Sequence, residues 1–174
     1  MIDTDRLIIR PFCQSDLSQV ERLLGSQDVM RFSDHGALAP AACQQWLYQA
    51  VASTERDAQF GVFAIVLKAG SGAIGYVSLL AGAAYLEKGE VEVGIRLLPD
   101  HWGRGIASEA AQAVFSAASG ARQDCIIAHV DPGNTSSIRL LERLGFVRRG
   151  EIMLPGYDHP DMVFARILAD KAAG

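Results

Sequence analysis

The spacing of apolar residues changes near residue 60, from the period of a helix to that of an extended strand. Three strand-like runs then follow one another, at Phe60–Leu67, Ala73–Leu80 and Glu90–Leu98. The link between the first two is too short to hold a crossover helix, so we expect an antiparallel hairpin. The centre of the chain therefore predicts a sheet that contains antiparallel strands.

Helical and extended segments flank this centre. Upstream, an extended run at Arg6–Arg10 precedes two helices, the second of which begins at Pro40. Downstream, an Ala-rich helix at Gly105–Ser119 and a helix that stops at Gly145 alternate with three strands, Cys125–Val130, Phe146–Glu151 and Met162–Leu168. The order β-α-α-β-β-β-α-β-α-β-β predicts a single α+β domain over residues 1–174, with a mixed, mostly antiparallel sheet flanked by helices.

Composition excludes several classes of protein. The chain has 174 residues, 49% hydrophobic and 21% charged, which is typical of one globular domain. The longest uncharged run, Ala69–Leu86, is broken by glycines, and the N-terminus is charged, so we expect neither a membrane span nor a signal peptide. The three scattered cysteines lack a zinc-site spacing, so we expect reduced thiols, no metal and a cytoplasmic protein.

The charge is unevenly distributed. The formal net charge of −4 argues against a nucleic-acid partner. Between Gly94 and Gly150, however, seven arginines stand against five acidic residues, so this segment carries +2 and the remainder −6. A locally basic segment on an acidic protein suits a polyanionic small ligand held beside a cationic substrate. The alternative is that these charges lie on solvated helix faces.

Two glycine-rich motifs are candidates for binding phosphate. Gly70–Gly75 has the form GxGxxG, but a dinucleotide site needs a helix directly after it, and Tyr76–Leu80 is strand-like. We therefore interpret this motif as a hairpin turn, and a dinucleotide enzyme is our third hypothesis.

The second motif, Pro99–Ala110, follows a strand and opens a helix. Gly103, Gly105 and Ala107 carry little bulk, so backbone amides can approach an anion while the helix dipole favours its charge. Arg104 adds a cation at the same point. The alternative is a glycine-rich helix start without a ligand.

This stretch resembles the coenzyme A pyrophosphate loop of the GNAT N-acetyltransferase superfamily, Gln/Arg-x-x-Gly-x-Gly/Ala. Trp102, Gly105 and Ala107 occupy its three defined positions. The form Trp-Gly-Arg-Gly-Ile-Ala-Ser-Glu-Ala is most similar to the branch that includes ribosomal-protein N-terminal acetyltransferases. Further motifs share the resemblance, in the family's order, at Thr4–Pro11, Glu92–Pro99, Asn134–Phe146 and Gly156–Pro160.

The resemblance implies that acetyl-CoA is the co-substrate. A bulged strand ending near Leu97 would offer backbone groups to the pantetheine arm and splay from Cys125–Val130, opening a V-shaped slot. A backbone N–H near Leu97 would stabilise the oxyanion formed when an amine attacks the thioester. The residues implied in binding the coenzyme are Leu97, Leu98, Trp102, Gly103, Arg104, Gly105, Ile106, Ala107, Ser108 and Asn134.

The resemblance also implies two catalytic residues, Glu92 and Ser137. Glu92 matches the general base that takes a proton from the ammonium group; the alternative is a strand carboxylate that only attracts a cationic substrate. Ser137 would lie near the thioester sulfur, and Asn134 is equally well placed as a turn residue and helix cap. Leu141 stands where many members have a tyrosine general acid, which leaves Ser137 as a weak candidate for that role.

Other polar residues are interpreted as structural. His129, on the strand that lines the slot, is taken as a strand residue rather than a base. Arg139 and Arg143 lie four apart on one helix face, where either one has the reach for the ribose phosphate, but solvent exposure is the simpler assumption. The acceptor pocket is expected to be built from three variable segments, Asp28–Leu38, Gly82–Gly89 and Glu151–Asp161.

We therefore predict an N-acetyltransferase that moves an acetyl group from acetyl-CoA to a primary amine by direct attack in a ternary complex. The acceptor is left open among a protein N-terminus, an amino acid, a polyamine and an aminated antibiotic. A larger fraction of an α-amino group than of a lysine is neutral at pH 7, which favours the N-terminus. The alternative is a non-catalytic acyl-CoA-binding sensor, which the missing tyrosine permits. No nucleic-acid or membrane partner is expected, and a homodimer is left open.

Overall fold

The computed structural model describes residues 1–70, 72–118 and 123–168. Within these ranges the strands are β1 (Ile2–Asp3), β2 (Leu7–Pro11), β3 (Gly61–Leu67), β4 (Ala73–Ala81), β5 (Glu90–Leu97), β6 (Cys125–Val130), β7 (Val147–Ile152) and β8 (Asp161–Ile167). The α-helices are α1 (Leu17–Leu24), α2 (Gln27–Met30), α3 (Pro40–Arg56), α4 (Ile106–Ala118) and α5 (Thr135–Arg143). Short 3-10 helices cover Gln14–Asp16 and Pro99–His101.

The strands form one eight-stranded sheet in the order β1-β2-β3-β4-β5-β6-β8-β7. Neighbouring strands are antiparallel, except that β5 and β6 run parallel. A parallel pair needs a crossover connection, and α4 supplies it. The predicted α+β fold with a mixed, mostly antiparallel sheet is confirmed.

Helices cover both faces of this sheet. On one face, Phe115 of α4 packs in a cluster with central strand residues such as Val91. On the other face, Leu24 of α1 and Leu47 of α3 pack in a second cluster with Ala64 of β3. Burying one such leucine or phenylalanine contributes about 1.5–3 kcal/mol, so the two layers fix the sheet between them.

Most predicted segments agree with the structure to within one or two residues. The Ala-rich helix is observed at Ile106–Ala118; Ser119, its predicted last residue, lies outside the described residues. The Gly70–Gly75 motif begins in the link between β3 and β4 and continues into β4. The two strands pair as an antiparallel hairpin, as predicted, and Ser71 is also outside the described residues. The strand β1 and the one-turn helix α2 were not predicted, because two to four residues are too short to show a period.

None of the helices in the described ranges combines the length and the apolar character that a bilayer crossing requires.

Candidate active site

The sheet opens between its two parallel strands. β5 and β6 are paired at Glu90 with Cys125, Val91 with Ile126, and Glu92 with Ile127. Beyond these residues the strands diverge, and a cleft of ≈ 960 Å³ separates them. The last six residues of β5 (Glu92–Leu97) and the last three of β6 line this cleft, so the predicted V-shaped opening is present.

The shape of β5 differs from the prediction. Its register with β4 is unbroken as far as Leu97 opposite Gly75, so the pairing of these two described strands has no bulge. The backbone reaches the cleft for a simpler reason. Leu98 donates its N–H to the Ile74 carbonyl on the β4 side at 2.9 Å. Successive backbone groups of a strand point to opposite edges, so the N–H of Leu97 faces the edge that β6 has left.

The glycine-rich stretch forms a tight turn at the wide end of the cleft. Gly103 and Gly105 have φ values of +69° and +75°, which glycine adopts without steric cost. A Cβ added at Gly103 would meet no atom within 4 Å, so the backbone there is accessible. α4 begins at Ile106 and directs its unpaired N–H groups and the positive end of its dipole to the same place. The Trp102 indole N–H donates to the Leu97 carbonyl at 2.7 Å and ties the turn to β5.

A hydrogen-bond network that no local sequence pattern predicts links the N-terminal motif to this turn and holds it in place. The Arg6 guanidinium donates to the Glu109 carboxylate at 2.6 Å and to the Arg104 carbonyl at 2.9 Å. Glu109 also accepts from the Thr4 hydroxyl at 2.6 Å and from the Arg6 backbone N–H at 3.0 Å. Partial burial opposes the charge on Glu109, but these hydrogen bonds outweigh it and lower the pKa of the carboxyl group.

The remaining residues predicted for coenzyme binding fall into two groups. Ile106, Ala107 and Ser108 line the cleft, although Ile106 also belongs to the core beneath α4. Leu98 and Arg104 are not among the described residues that line it. Leu98 packs in the layer formed with α1 and α3, and Arg104 is exposed to solvent.

α5 forms the opposite wall of the cleft. Asn134 is its N-cap, and the side-chain oxygen accepts from the Ser137 backbone N–H at 3.1 Å, so Asn134 has the capping role that was one of its two interpretations. Asn134, Ser137 and the buried Leu141 all line the cleft. Arg139 and Arg143 also line it while remaining exposed, so both are placed to meet a polyanion at the rim.

Glu92 lies at the narrow end of the cleft, where the pairing of β5 and β6 stops. One carboxylate oxygen accepts from the Tyr85 hydroxyl at 2.6 Å, and the other lies 2.9 Å from His129 Nδ1. The histidine side chain is 5% exposed and that of Glu92 21%. Burial, and then the hydrogen bond to Glu92, raise the pKa of Tyr85. His129 is therefore more than a strand residue, because it orients the candidate base.

All three variable segments expected to build the acceptor pocket reach the cleft or the candidate base Glu92. Phe32 comes from the first of the three variable segments, Tyr85 contacts Glu92 from the second, and Tyr157 and Asp161 come from the third. Asp161 is 5% exposed, and its Oδ1 has no hydrogen-bond partner among the described residues. Burial, reinforced by the nearby charge of Asp131, raises the pKa of Asp161.

The described residues contain no group of three histidine, cysteine or acidic side chains arranged to hold a metal ion. All three cysteines are free thiols.

Comparisons with known proteins point to one family. Residues 6–147 match the family model described as the acetyltransferase (GNAT) domain. The uncharacterized N-acetyltransferase p20 of Bacillus licheniformis is 27% identical over 148 residues, which cover 84% of this chain and 82% of that protein.

Solved structures share the fold. A GNAT-family acetyltransferase from Bacillus anthracis superposes with a TM-score of 0.82 at 24% identity, over 96% of this chain and 98% of that one. The spermidine N-acetyltransferase from Vibrio cholerae, crystallised with CoA and spermine, superposes with a TM-score of 0.76 at 19% identity, over 95% and 97% of the two chains.

Proposed function

Because the chain belongs to the GNAT acetyltransferase family, we propose that it transfers the acetyl group of acetyl-CoA to a primary amine, which attacks the thioester directly. The observation that carries this proposal is the cleft between β5 and β6, which joins a glycine turn at its wide end to a hydrogen-bonded carboxylate at its narrow end. One end suits a diphosphate and the other suits an amine.

The wide end fits the coenzyme. The backbone at Gly103 is open, and the N-terminus of α4 is aimed at the same space, so the diphosphate would accept hydrogen bonds from these amides. Trp102, Ala107 and Ser108 would border it. The pantetheine arm would then follow the cleft-facing backbone of β5, and the N–H of Leu97 would donate to negative charge as it develops on the thioester oxygen.

The narrow end suits an amine. The ammonium form cannot attack until it loses a proton, and Glu92 is placed to accept that proton directly or through a water. Hydrogen bonds from Tyr85 and His129 hold both carboxylate oxygens in one orientation, so no reorganisation is needed when the amine arrives. Both bonds leave further lone pairs on the carboxylate for the incoming N–H.

Release of the thiol does not require a strong acid. Leu141 is buried at the usual tyrosine position and donates no proton. A thiol with a pKa near 8.5 leaves readily as thiolate, so proton donation by Ser137 would assist without being essential. We place this reaction in the cytoplasm, which the three free thiols support.

The test combines binding and turnover. Calorimetry with CoA should detect binding, and acetyl-CoA should release free thiol only when a primary amine is added. Glu92→Gln should lower the rate most at pH values below the pKa of the amine, where a proton must be removed, while CoA affinity stays unchanged. CoA binding without amine-dependent thiol release, across a panel of amines, would instead support the sensor function. No CoA binding at all would exclude both.

A further inference from the structure

Arg96 is a partly buried cation on the floor of the cleft. It lies on β5 opposite Tyr76 of β4 and is only partly accessible to solvent. Its guanidinium contacts the Met30 sulfur of α2. Across residues 1–70, 72–118 and 123–168, no carboxylate lies within 4.0 Å of it.

Arg10, another half-buried arginine, is paired with a carboxylate, whereas the half-buried Arg166 lies over the Phe115 ring. Arg10, with 28% of its side chain exposed, is bonded to both carboxylate oxygens of Asp16 at 2.7 Å. Arg96 has no such carboxylate: the Tyr76 hydroxyl and the Met30 sulfur lie against its guanidinium, but neither neutralises the positive charge. An arginine in a substrate cleft that lacks its own anion is a site for an anion on the substrate.

The coenzyme does not supply that anion. Leu97, the next residue, belongs to the layer packed under α4, on the face that carries the glycine turn. Adjacent strand residues point to opposite faces of a sheet, so Arg96 lies on the face covered by α1 and α3, together with Tyr76. Met30, from the first segment expected to build the acceptor pocket, packs in the same layer, so we place the acceptor on this face.

The acceptor face thus has two poles of opposite charge. Glu92 is on the same face of β5, four residues before Arg96, which separates their Cα atoms by about 13 Å. Near Glu92, Asp161 offers a buried oxygen that has no hydrogen-bond partner in the described part of the chain, and Asp131 is held by His159 at 3.1 Å. The amine is attracted to this acidic pole, while Arg96 lies toward the other end of the strand.

We propose that the acceptor is an amino acid-like or short peptide-like molecule whose primary amine is separated by several bonds from a carboxylate that Arg96 binds. This rests on the acetyl transfer proposed above and narrows its substrate class. An α-amino acid is too short, because its amine and carboxylate are separated by a single carbon. A 6-aminohexanoate chain or a tripeptide spans the distance once the two side chains lean toward it.

The experiment compares acceptors that differ only in the carboxylate. The probes are 6-aminohexanoate and 6-aminohexanamide, and triglycine and triglycine amide. With the unmodified protein, the acid should be favoured over the amide by at least about tenfold in kcat/KM, the effect of one charge-assisted contact. In Arg96→Gln that ratio should fall to about one, while the affinity for CoA is unchanged. Arg96→Lys should retain part of the preference for the acid. Lysine keeps the positive charge but cannot bind both carboxylate oxygens with two parallel N–H groups, as a guanidinium does.

Arg22→Gln is the matched control, because it removes one positive charge from an exposed position on α1. This variant should keep the higher kcat/KM for the acids than for the amides. Equal use of acid and amide by the unmodified protein overturns the proposal, and so does an equal loss for both in Arg96→Gln. Calorimetric binding of the same four compounds to the CoA complex makes the test independent of turnover. If no amine is acetylated, the proposed acetyl transfer is wrong. Stronger binding of the acids than of the amides still supports the Arg96 site in that case, whereas equal binding or no binding overturns it.

Discussion

Replacing Glu109 with glutamine tests whether the N-terminal motif organises the coenzyme turn. The carboxylate accepts hydrogen bonds from the Thr4 hydroxyl, the Arg6 backbone and the Arg6 guanidinium. Glutamine keeps the shape but turns one acceptor into an NH2 group, which faces a donor. Hydrogen bonds to charged groups contribute about 1.5–3 kcal/mol each when shielded, but the Arg6 side chain is 49% exposed, so we expect a loss of about 1–2 kcal/mol in the free energy of unfolding.

Two measurements check this magnitude and its consequence. Urea unfolding should show the loss, and the melting temperature should fall by about 2–4 °C per kcal/mol for a chain of this size. Because Arg6 also holds the Arg104 carbonyl in the turn, the Kd for CoA should rise several-fold. The KM for S-acetylpantetheine, which lacks the diphosphate, should not change. Glu151→Gln is the control, since it removes an ion pair with Arg148 in which both side chains are half exposed.

The pH dependence of Glu109 has a definite sign. A carboxyl group whose pKa is lower in the folded than in the unfolded chain stabilises the fold at pH values above its unfolded pKa, here 4.5. That contribution is lost as the pH falls through the lower, folded value. The stability difference between the unmodified protein and Glu109→Gln should therefore shrink below pH 4.5. If Glu109→Gln raised the KM for S-acetylpantetheine as much as the Kd for CoA, the reasoning would be refuted. That result would mean that the network stabilises the whole fold rather than the turn.

Four further substitutions probe the same cleft. Gly105→Ala places a residue with a side chain where the backbone is left-handed, so we expect a loss of about 1 kcal/mol in the free energy of unfolding and weaker CoA binding by calorimetry. Gly150→Ala is the control: its site is open and its φ is ordinary, so it should bind CoA normally. Trp102 is 50% exposed beside the proposed coenzyme site, so CoA should change the intrinsic fluorescence, and Trp102→Phe should abolish that change; persistence of the signal would place the coenzyme elsewhere. Asn134→Ala removes the α5 cap and should cost about 1 kcal/mol in urea unfolding. Asp161 has a raised pKa, so its ionised form destabilises the fold at neutral pH. Asp161→Asn should therefore raise the free energy of unfolding at pH 7, and the gain should disappear below pH 3.8. A loss of stability at pH 7 would contradict this.

Local patterns in the sequence determined the elements of this fold. The strands of the central hairpin, β3 and β4, are buried at most of their positions, and β6 was predicted with its observed ends, because a short continuous apolar run bounded by turn residues is typical of a strand covered on both faces. The turn at Gly103 and Gly105 was also readable, since few residues other than glycine adopt its backbone conformation and a helix follows at once. These features depend on residues that are close together in the chain.

The contacts that tune the site depend on which distant segments become neighbours. Glu92 and His129 are 37 positions apart and meet because β5 and β6 pair in one register and then diverge. Arg6 reaches Glu109 across 103 positions because Arg6 directly precedes β2, a strand of the sheet on which α4 packs. A shift of one residue in either strand register would turn these side chains to the opposite face without changing any local pattern. The sequence alone therefore determined the strands, the helices and the glycine turn. Only the packing of the sheet decided which charged side chains face one another in the cleft. The same packing left Arg96 there without a carboxylate partner among the described residues.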